Sequence, residues 1–203
     1  MDRPALDGPP ETAILPAMTS REIDFYREHA RRAASILEYG AGGSTVIAAE
    51  CNVPSLYSVD SDARWIARLA REPAIAKLVE LGRAKLVHVD VGPVRRWGRP
   101  RSRLHAWKWP RYARRPWLDK DLRPDLVLID GLFRIRCILE TLRRVTPDTK
   151  IMLHDFSPQR HRHALPFVEP VEVVDRLALL VPRGDATSLR ARATGLLYRY
   201  GKK

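Results

Sequence analysis

Cysteine is scarce in this sequence, with 2 among 203 residues. Cys51 and Cys137 each lie inside a predicted helix, and their spacing matches no metal-binding pattern. We interpret both as buried free thiols rather than as a disulfide pair. The sequence therefore predicts neither a disulfide-stapled scaffold nor a cysteine-ligated metal site.

Long apolar runs are also missing. No segment approaches the roughly 20 consecutive apolar residues that a membrane-spanning helix needs. The first ten residues, MDRPALDGPP, lack the apolar core of a secretory signal. A hydrophobic content of 45% suits a globular core. We therefore expect a cytoplasmic protein with one domain over residues 1–203 and no membrane span.

Acidic residues are outnumbered, because 24 Asp and Glu stand against 36 Lys and Arg, giving a formal net charge of +12. A protein this basic implies an anionic partner, an anionic substrate or a soluble basic surface. Much of the charge lies in an Arg/Trp-rich insertion at 92–124, and more lies in a basic tail at 183–203. The insertion also holds four of the five tryptophans, which are Trp97, Trp107, Trp109 and Trp117. Loops of this length are usually functional or disordered, and the aromatic content argues against plain disorder.

Short apolar runs alternate with longer helical patterns along the chain. A Pro-rich irregular arm at 1–18 precedes a capping box, Thr19 to Glu22, which opens a helix to about Ala34. We predict strands at 35–39, 55–60, 84–90, 125–130 and 150–154, and helices at about 43–50, 62–80 and 132–145. This alternation favours a doubly wound α/β sheet with right-handed crossovers.

The alternation of strands and helices ends after the fifth predicted strand. The runs 168–175 and 177–181 are separated by too little chain for a helical crossover. Parallel neighbours need a dozen or more connecting residues, so these two runs are predicted to form an antiparallel hairpin.

The strongest chemical signal is the glycine turn at 38–45, Glu-Tyr-Gly-Ala-Gly-Gly-Ser-Thr, which follows a strand and leads into a helix. Glycines permit a tight turn and let a ligand approach the backbone closely. Glu38, two residues before Gly40, could accept a hydrogen bond from a ligand ammonium group. Asp60 ends the next strand, 18 residues after Gly42, where a carboxylate can bind both ribose hydroxyls.

This pattern resembles class I S-adenosylmethionine (SAM)-dependent methyltransferases over about residues 35–182. It is also similar to a smaller group of uncharacterised bacterial methyltransferase-like proteins with Asp-Gly-x-Phe-Arg and His-Asp segments, here 130–134 and 154–155. The resemblance implies a Rossmann-like, mostly parallel seven-stranded sheet with an antiparallel terminal hairpin, and SAM as cofactor. It implies these cofactor-binding residues: Glu38, Gly40, Gly42, Ser44, Thr45, Asp60, Ser61, Asp90 and Val91.

A nicotinamide-binding Rossmann domain is the competing interpretation. Its fingerprint needs glycine at the sixth position of the turn, where this sequence has Thr45. A pyrophosphate would also be repelled by Glu38. Both observations favour SAM.

SAM is an activated methyl donor, so a protein must mainly align the acceptor and assist deprotonation of a hydroxyl. By the resemblance, Asp130 faces the transferred methyl. His154 is a candidate general base and Asp155 its neighbour, although both could simply cap a strand. Asp130 and Asp155 are similar to the metal ligands of cation-dependent O-methyltransferases. Because Phe156 replaces the expected asparagine, a divalent cation is possible but not favoured.

Arginine can clamp carboxylates or phosphates, and tryptophan can stack on rings. We therefore hypothesise an anionic acceptor pocket formed by Trp109, Arg111, Tyr112 and Arg134, with ordinary packing and solvated charge as the alternative. The predicted function is O-methylation of a small-molecule or glycan acceptor of anionic character. The alternative is an RNA-directed methyltransferase or an RNA-binding SAM-fold protein, which the basic charge and interleaved Arg and Trp would also suit.

Overall fold

The computed structural model describes residues 14–185, 188 and 192–197. The predicted irregular arm enters this part only at 14–18, and most of the predicted basic tail lies outside the described residues. No helix in the part described is long and apolar enough to cross a membrane.

Seven strands form one sheet, as predicted, and two short strands form a separate hairpin. The strands are β1 (Ser35–Tyr39), β2 (Ser55–Asp60), β3 (Ala84–His88), β4 (Val94–Arg95), β5 (Arg99–Pro100), β6 (Leu126–Ile129), β7 (Lys150–Leu153), β8 (Val168–Val174) and β9 (Leu177–Pro182). The sheet order is β3-β2-β1-β6-β7-β9-β8, with five parallel strands and an antiparallel β8–β9 hairpin at one edge. The chain runs outward from β1 to β3 and returns to β6, so β1 and β6 flank the topological switch point where α/β sheets bind ligands.

The helices are α1 (Ser20–Arg32), α2 (Gly43–Glu50), α3 (Ala63–Leu69), α4 (Pro73–Glu80), α5 (Pro110–Arg114), α6 (Arg134–Leu142) and α7 (Pro158–His161). The capping box of α1 is confirmed in both directions between Thr19 and Glu22. The prediction of one helix over 62–80 is wrong, because Pro73 begins a new helix. Glu72 takes an extended ψ of 127°, since a following proline ring crowds the helical conformation. The third strand also ends at His88 rather than at residue 90.

Helices cover both faces of the sheet, which explains why the central strands are apolar throughout. On one face, α6 and the insertion pack around Tyr112, Ile138 and Leu142. On the other, α1, α2 and α4 pack around Tyr26, Ile47 and Leu78. Cys51 and Cys137 are both free thiols, and Cys137 is buried as predicted, whereas Cys51 is only half-buried.

The insertion at 92–124 is folded. It contains the β4–β5 hairpin, a short 3-10 turn over Arg103–Lys108, α5 and a second 3-10 turn over Arg115–Leu118. The hydroxyl of Tyr39 donates to the carbonyl of Ala113 at 2.8 Å and accepts from the indole N–H of Trp117 at 2.8 Å. The guanidinium of Arg114 binds the fully buried carboxylate of Glu140 at 2.9 Å. These contacts fix the insertion on the carboxyl side of the sheet.

Candidate functional site

The glycine turn after β1 lies against the turn after β6. Gly40 has a φ of +97°, and a Cβ built there would lie 2.5 Å from the amide nitrogen of Gly131. Any side chain at Gly40 would push the two turns apart. A Cβ at Gly42 would meet no atom within 4 Å, so this glycine faces open space. The turn therefore combines one position closed by packing with one position open to a ligand.

The carboxylate of Glu38 holds the glycine turn through hydrogen bonds. Its fully buried carboxylate accepts hydrogen bonds from the hydroxyls of Ser44 at 2.5 Å, Thr45 at 2.6 Å and Ser58 at 2.6 Å. Burial raises the pKa of Glu38 to about 7, although the three hydroxyl donors oppose that shift. The predicted contact between Glu38 and a ligand ammonium stays a prediction. In this geometry Glu38 holds Ser44 and Thr45, and through them the first turn of α2.

Asp60 and Ser61 end β2 beneath the β4–β5 hairpin. The Ser61 hydroxyl donates to the carbonyl of Gly98 at 2.8 Å, and a Cβ built at Gly98 would lie 3.3 Å from Asp60 Oδ1. Burial raises the pKa of Asp60 to about 6. The predicted ribose-binding carboxylate is thus at the expected strand end, with the hairpin directly beside it.

Asp90 and Val91 follow β3 but have different environments. Val91 is fully buried. Asp90 is exposed and accepts from Lys108 Nζ at 2.5 Å, and this hydrogen bond lowers the pKa of the Asp90 carboxyl. A cavity of about 440 Å³ opens between Ser61, Asp90 and Lys108. This cavity borders Ser61 and Asp90, two of the residues that the resemblance assigns to the cofactor.

Arg134 clamps the carboxyl ends of β6 and β7 together. Its Nε donates to the carbonyl of Gly131 at 3.1 Å, and one terminal nitrogen donates to the carbonyl of Asp130 at 2.9 Å and to its carboxylate at 3.0 Å. The other terminal nitrogen donates to the carbonyl of His154 and to the carboxylate of Asp155 at 3.1 Å. A guanidinium has five N–H donors, and all five are used here. In this geometry Arg134 is a structural clamp with no N–H donor left for an acceptor anion.

His154 is almost completely buried, and its ring nitrogens face carboxylates. Nδ1 is 2.9 Å from Asp130 Oδ1, and Nε2 is 3.6 Å from the buried Glu22 carboxylate. Burial by itself would lower the pKa of His154, but Asp130, Asp155 and Glu22 outweigh it and raise that pKa. A general base needs an accessible, neutral nitrogen, so this geometry favours the alternative in which His154 supports the strand ends.

Asp130, His154 and Asp155 have ligand atoms within 4.8 Å of one another, which is close enough for metal binding. Arg134 donates to both carboxylates of this cluster, and Arg176 binds the second oxygen of Asp155 at 2.6 Å. The guanidinium charges thus already neutralise the carboxylates. The donor set does not fit a divalent ion without loss of the Arg134 clamp.

The three predicted acceptor residues of the insertion differ in accessibility. Trp109 is half-buried and stacks on Phe133, with ring centroids 5.2 Å apart. Arg111 is exposed above the ring of Trp107. Tyr112 is fully buried, so in this arrangement its side chain packs inside the protein. The buried Trp109 indole N–H and Tyr112 hydroxyl have no hydrogen-bond partner of good geometry in the part described.

Several residues of the site carried no signal of their own in the sequence. Ser58 and Arg176 face Glu38 and Asp155 from distant segments. Glu22 was recognisable only as a capping residue, although its carboxylate also approaches His154. Gly131 follows Asp130 directly, and the repeated pairing of an acidic residue with glycine could have indicated that the two turns touch.

The chain was compared with family models, with curated proteins and with solved structures. No family model and no curated protein matches the chain. Among solved structures, a methyltransferase-like protein from Silicibacter pomeroyi is 29% identical, with a TM-score of 0.74 over 89% of this chain and 96% of that one.

Two less similar structures have the same fold. The cofactor-bound protein Rv0187 from MTB is 18% identical, with a TM-score of 0.57 over 84% of both chains. The O-methyltransferase TomG from Streptomyces achromogenes, in complex with SAM, is 17% identical, with a TM-score of 0.53 over 83% of this chain and 82% of that one. The chain thus has the strand order and glycine turn of the class I SAM-dependent methyltransferase fold, and its similarity to the Silicibacter pomeroyi protein supports that family.

Proposed function

We propose that this protein transfers a methyl group from SAM to an oxygen of an anionic acceptor, a small molecule or a glycan. The observation that carries the proposal is the convergence of the Gly40–Gly42 turn, Asp60 and Asp130 at the carboxyl ends of adjacent strands. These are the strand ends that border the switch point of the sheet.

The residues present fit SAM. Gly42 leaves open space beside the turn, and Asp60 offers a carboxylate at the end of the next strand. Bound SAM would supply an activated methyl group, so the protein would need to supply alignment and a proton acceptor.

Asp130 is the best-placed proton acceptor. Its Oδ1 is in hydrogen-bond contact with Arg134 and His154, while Oδ2 accepts no hydrogen bond from the described residues. The side chain is 22% exposed. Arg134 and His154 would hold the carboxylate in place while Oδ2 accepts the proton of an acceptor hydroxyl. The exposed Arg111 is the remaining predicted residue with free donors for an anionic group.

Cofactor binding is testable by calorimetry with SAM and with S-adenosylhomocysteine. We expect saturable binding of both, weakened by Asp60→Asn because an amide accepts fewer hydrogen bonds from ribose. Asp148→Asn is the matched control, since Asp148 is exposed and precedes β7, at the amino ends of the parallel strands. No binding of either compound to the intact protein would contradict the proposal.

Acceptor use is testable by measuring S-adenosylhomocysteine formed from SAM with a panel of uronic acids, phosphorylated sugars and aromatic carboxylic acids. For an acceptor that turns over, Asp130→Asn should lower kcat by roughly 10²- to 10⁴-fold while SAM still binds. An unchanged kcat would remove Asp130 from the chemistry.

A further inference from the structure

We propose that the insertion face, defined here as Trp97, Arg103, Leu104, Trp107 and Arg111, binds single-stranded nucleic acid. This interaction goes beyond the proposed methyl transfer and does not depend on bound cofactor. It follows from the exposure, the charge and the ring stacking of these side chains.

The insertion face displays large apolar side chains to solvent. Trp97, Leu104 and Trp107 are 66%, 80% and 64% exposed. Leu104 and Trp107 lie in the same short 3-10 segment, which is kinked at His105, and His105 and Ala106 between them are half-buried. The C-terminal part of the insertion is docked through Tyr39 and Glu140, and Lys108 at the end of the 3-10 segment binds Asp90.

The same face has an uncompensated positive charge. Residues 92–124 contain eleven Lys and Arg but two Asp and no Glu. Some of these cations are paired, as Arg114 is with Glu140 and Lys108 with Asp90. Eight exposed arginines of the insertion form no salt bridge with any described residue, and two of them, Arg101 and Arg123, donate to backbone carbonyls. The eight are Arg95, Arg96, Arg99, Arg101, Arg103, Arg111, Arg115 and Arg123. A polyanion would meet free guanidinium groups here.

The cations are stacked on the indoles. The guanidinium of Arg96 lies 5.2 Å from the ring centroid of Trp97, and that of Arg111 lies 5.1 Å from that of Trp107. Alternating planar cations and exposed indoles provide stacking surfaces for bases and donors for phosphates. In a duplex the base faces are occupied by neighbouring bases, so exposed indoles favour an unpaired strand. A lipid surface is matched less well, since Leu104 is the one aliphatic member of the face.

The test is fluorescence anisotropy with a labelled RNA of about 12 nucleotides, the DNA of the same sequence and the RNA duplex. We expect the single strands to bind more tightly than the duplex, and binding to weaken at least about tenfold between about 50 and 200 mM salt. The comparison of the two single strands decides whether RNA or DNA is preferred.

Variants separate stacking from charge. Trp107→Ala should weaken single-strand binding about tenfold, whereas Trp107→Phe should retain most of it. Arg103→Ala should reduce the salt dependence. Arg71→Ala, an exposed arginine on the turn between α3 and α4, should change nothing. Thermal unfolding of each variant checks that the fold is retained.

Three results would overturn the proposal. The first is no single-strand binding at about 50 mM salt. The second is equal binding of duplex and single strand with no effect of Trp107→Ala, which would indicate charge alone. The third is binding to phosphatidylserine vesicles without binding to either oligonucleotide. Because no cofactor is present, these results are independent of the calorimetry with SAM.

Discussion

The buried carboxylate of Glu38 gives the stability of this protein a specific dependence on pH. Its pKa is raised from 4.5 to about 7 by burial. Between these values the folded protein keeps a proton that the unfolded chain has released. Raising the pH through this interval therefore favours the unfolded chain, and stability is lost as the pH approaches and passes 7. Glu38→Gln removes the titrating group while keeping the size of the side chain.

The magnitude follows from the two pKa values. A shift of one pKa unit is worth about 1.4 kcal/mol. Between about pH 5 and pH 8, the difference in unfolding free energy between the native protein and Glu38→Gln should change by about 2 to 3 kcal/mol, in favour of the variant at high pH. The raised pKa values of Asp60 and His154 act in the same direction. They are common to both proteins and cancel in the difference.

Urea unfolding followed by tryptophan fluorescence at a series of pH values measures this difference. The absolute stability of Glu38→Gln is not the test, because the amide could weaken the hydrogen bonds from Ser44, Thr45 and Ser58. Glu50→Gln, an exposed change on α2, controls for loss of one negative charge. A difference that stays constant from about pH 5 to pH 8 would refute the argument.

Three further predictions concern the strand ends. Arg134→Ala should lower the unfolding free energy by about 3 kcal/mol, because it removes five hydrogen bonds and leaves Asp130 without its guanidinium, while Asp155 keeps Arg176. Arg134→Lys should recover only part of that loss. An unfolding free energy of Arg134→Ala within about 0.5 kcal/mol of the native value in urea unfolding would show that the clamp is not needed. Gly131→Ala should lower the unfolding free energy by about 1 to 3 kcal/mol and abolish SAM binding in calorimetry, because the added Cβ would lie 2.2 Å from Tyr112 Oη. Gly195→Ala, whose added Cβ meets no atom within 4 Å, should change neither quantity. A Gly131→Ala protein that binds SAM normally would contradict this packing. EDTA should leave turnover unchanged once an acceptor is known, since Arg134 already neutralises the carboxylates, and loss of turnover restored by Mg²⁺ would show that this is wrong.

The features that depend on local sequence were predictable. The β1 strand, the glycine turn and α2 follow one another directly along the chain. The apolar pattern, the spacing of the glycines and the position of Glu38 therefore identified all three together. The hairpin of β8 and β9 followed from the short connection. The break at Pro73 could also have been predicted, because proline carries its own signal.

The features that depend on distant contacts were not predictable. Tyr39 meets Ala113 across 74 residues and Arg134 meets Asp155 across 21. Nothing in the Asp-Gly-Leu-Phe-Arg segment indicates that the guanidinium turns back onto the strand ends rather than toward an acceptor. The burial of Tyr112 was equally hidden, because an exposed and a buried tyrosine have the same sequence context.

The contact between Gly98 and the Asp60–Ser61 strand end has a consequence for cofactor affinity. Should ribose need more of the half-buried Asp60 than this hairpin position leaves exposed, only molecules whose hairpin has moved aside would bind it. The apparent dissociation constant then equals the intrinsic one divided by that fraction, so a hairpin open about one time in a hundred weakens binding about a hundredfold. Weak binding of SAM would thus reflect the population of the open state, and shortening the hairpin would strengthen it.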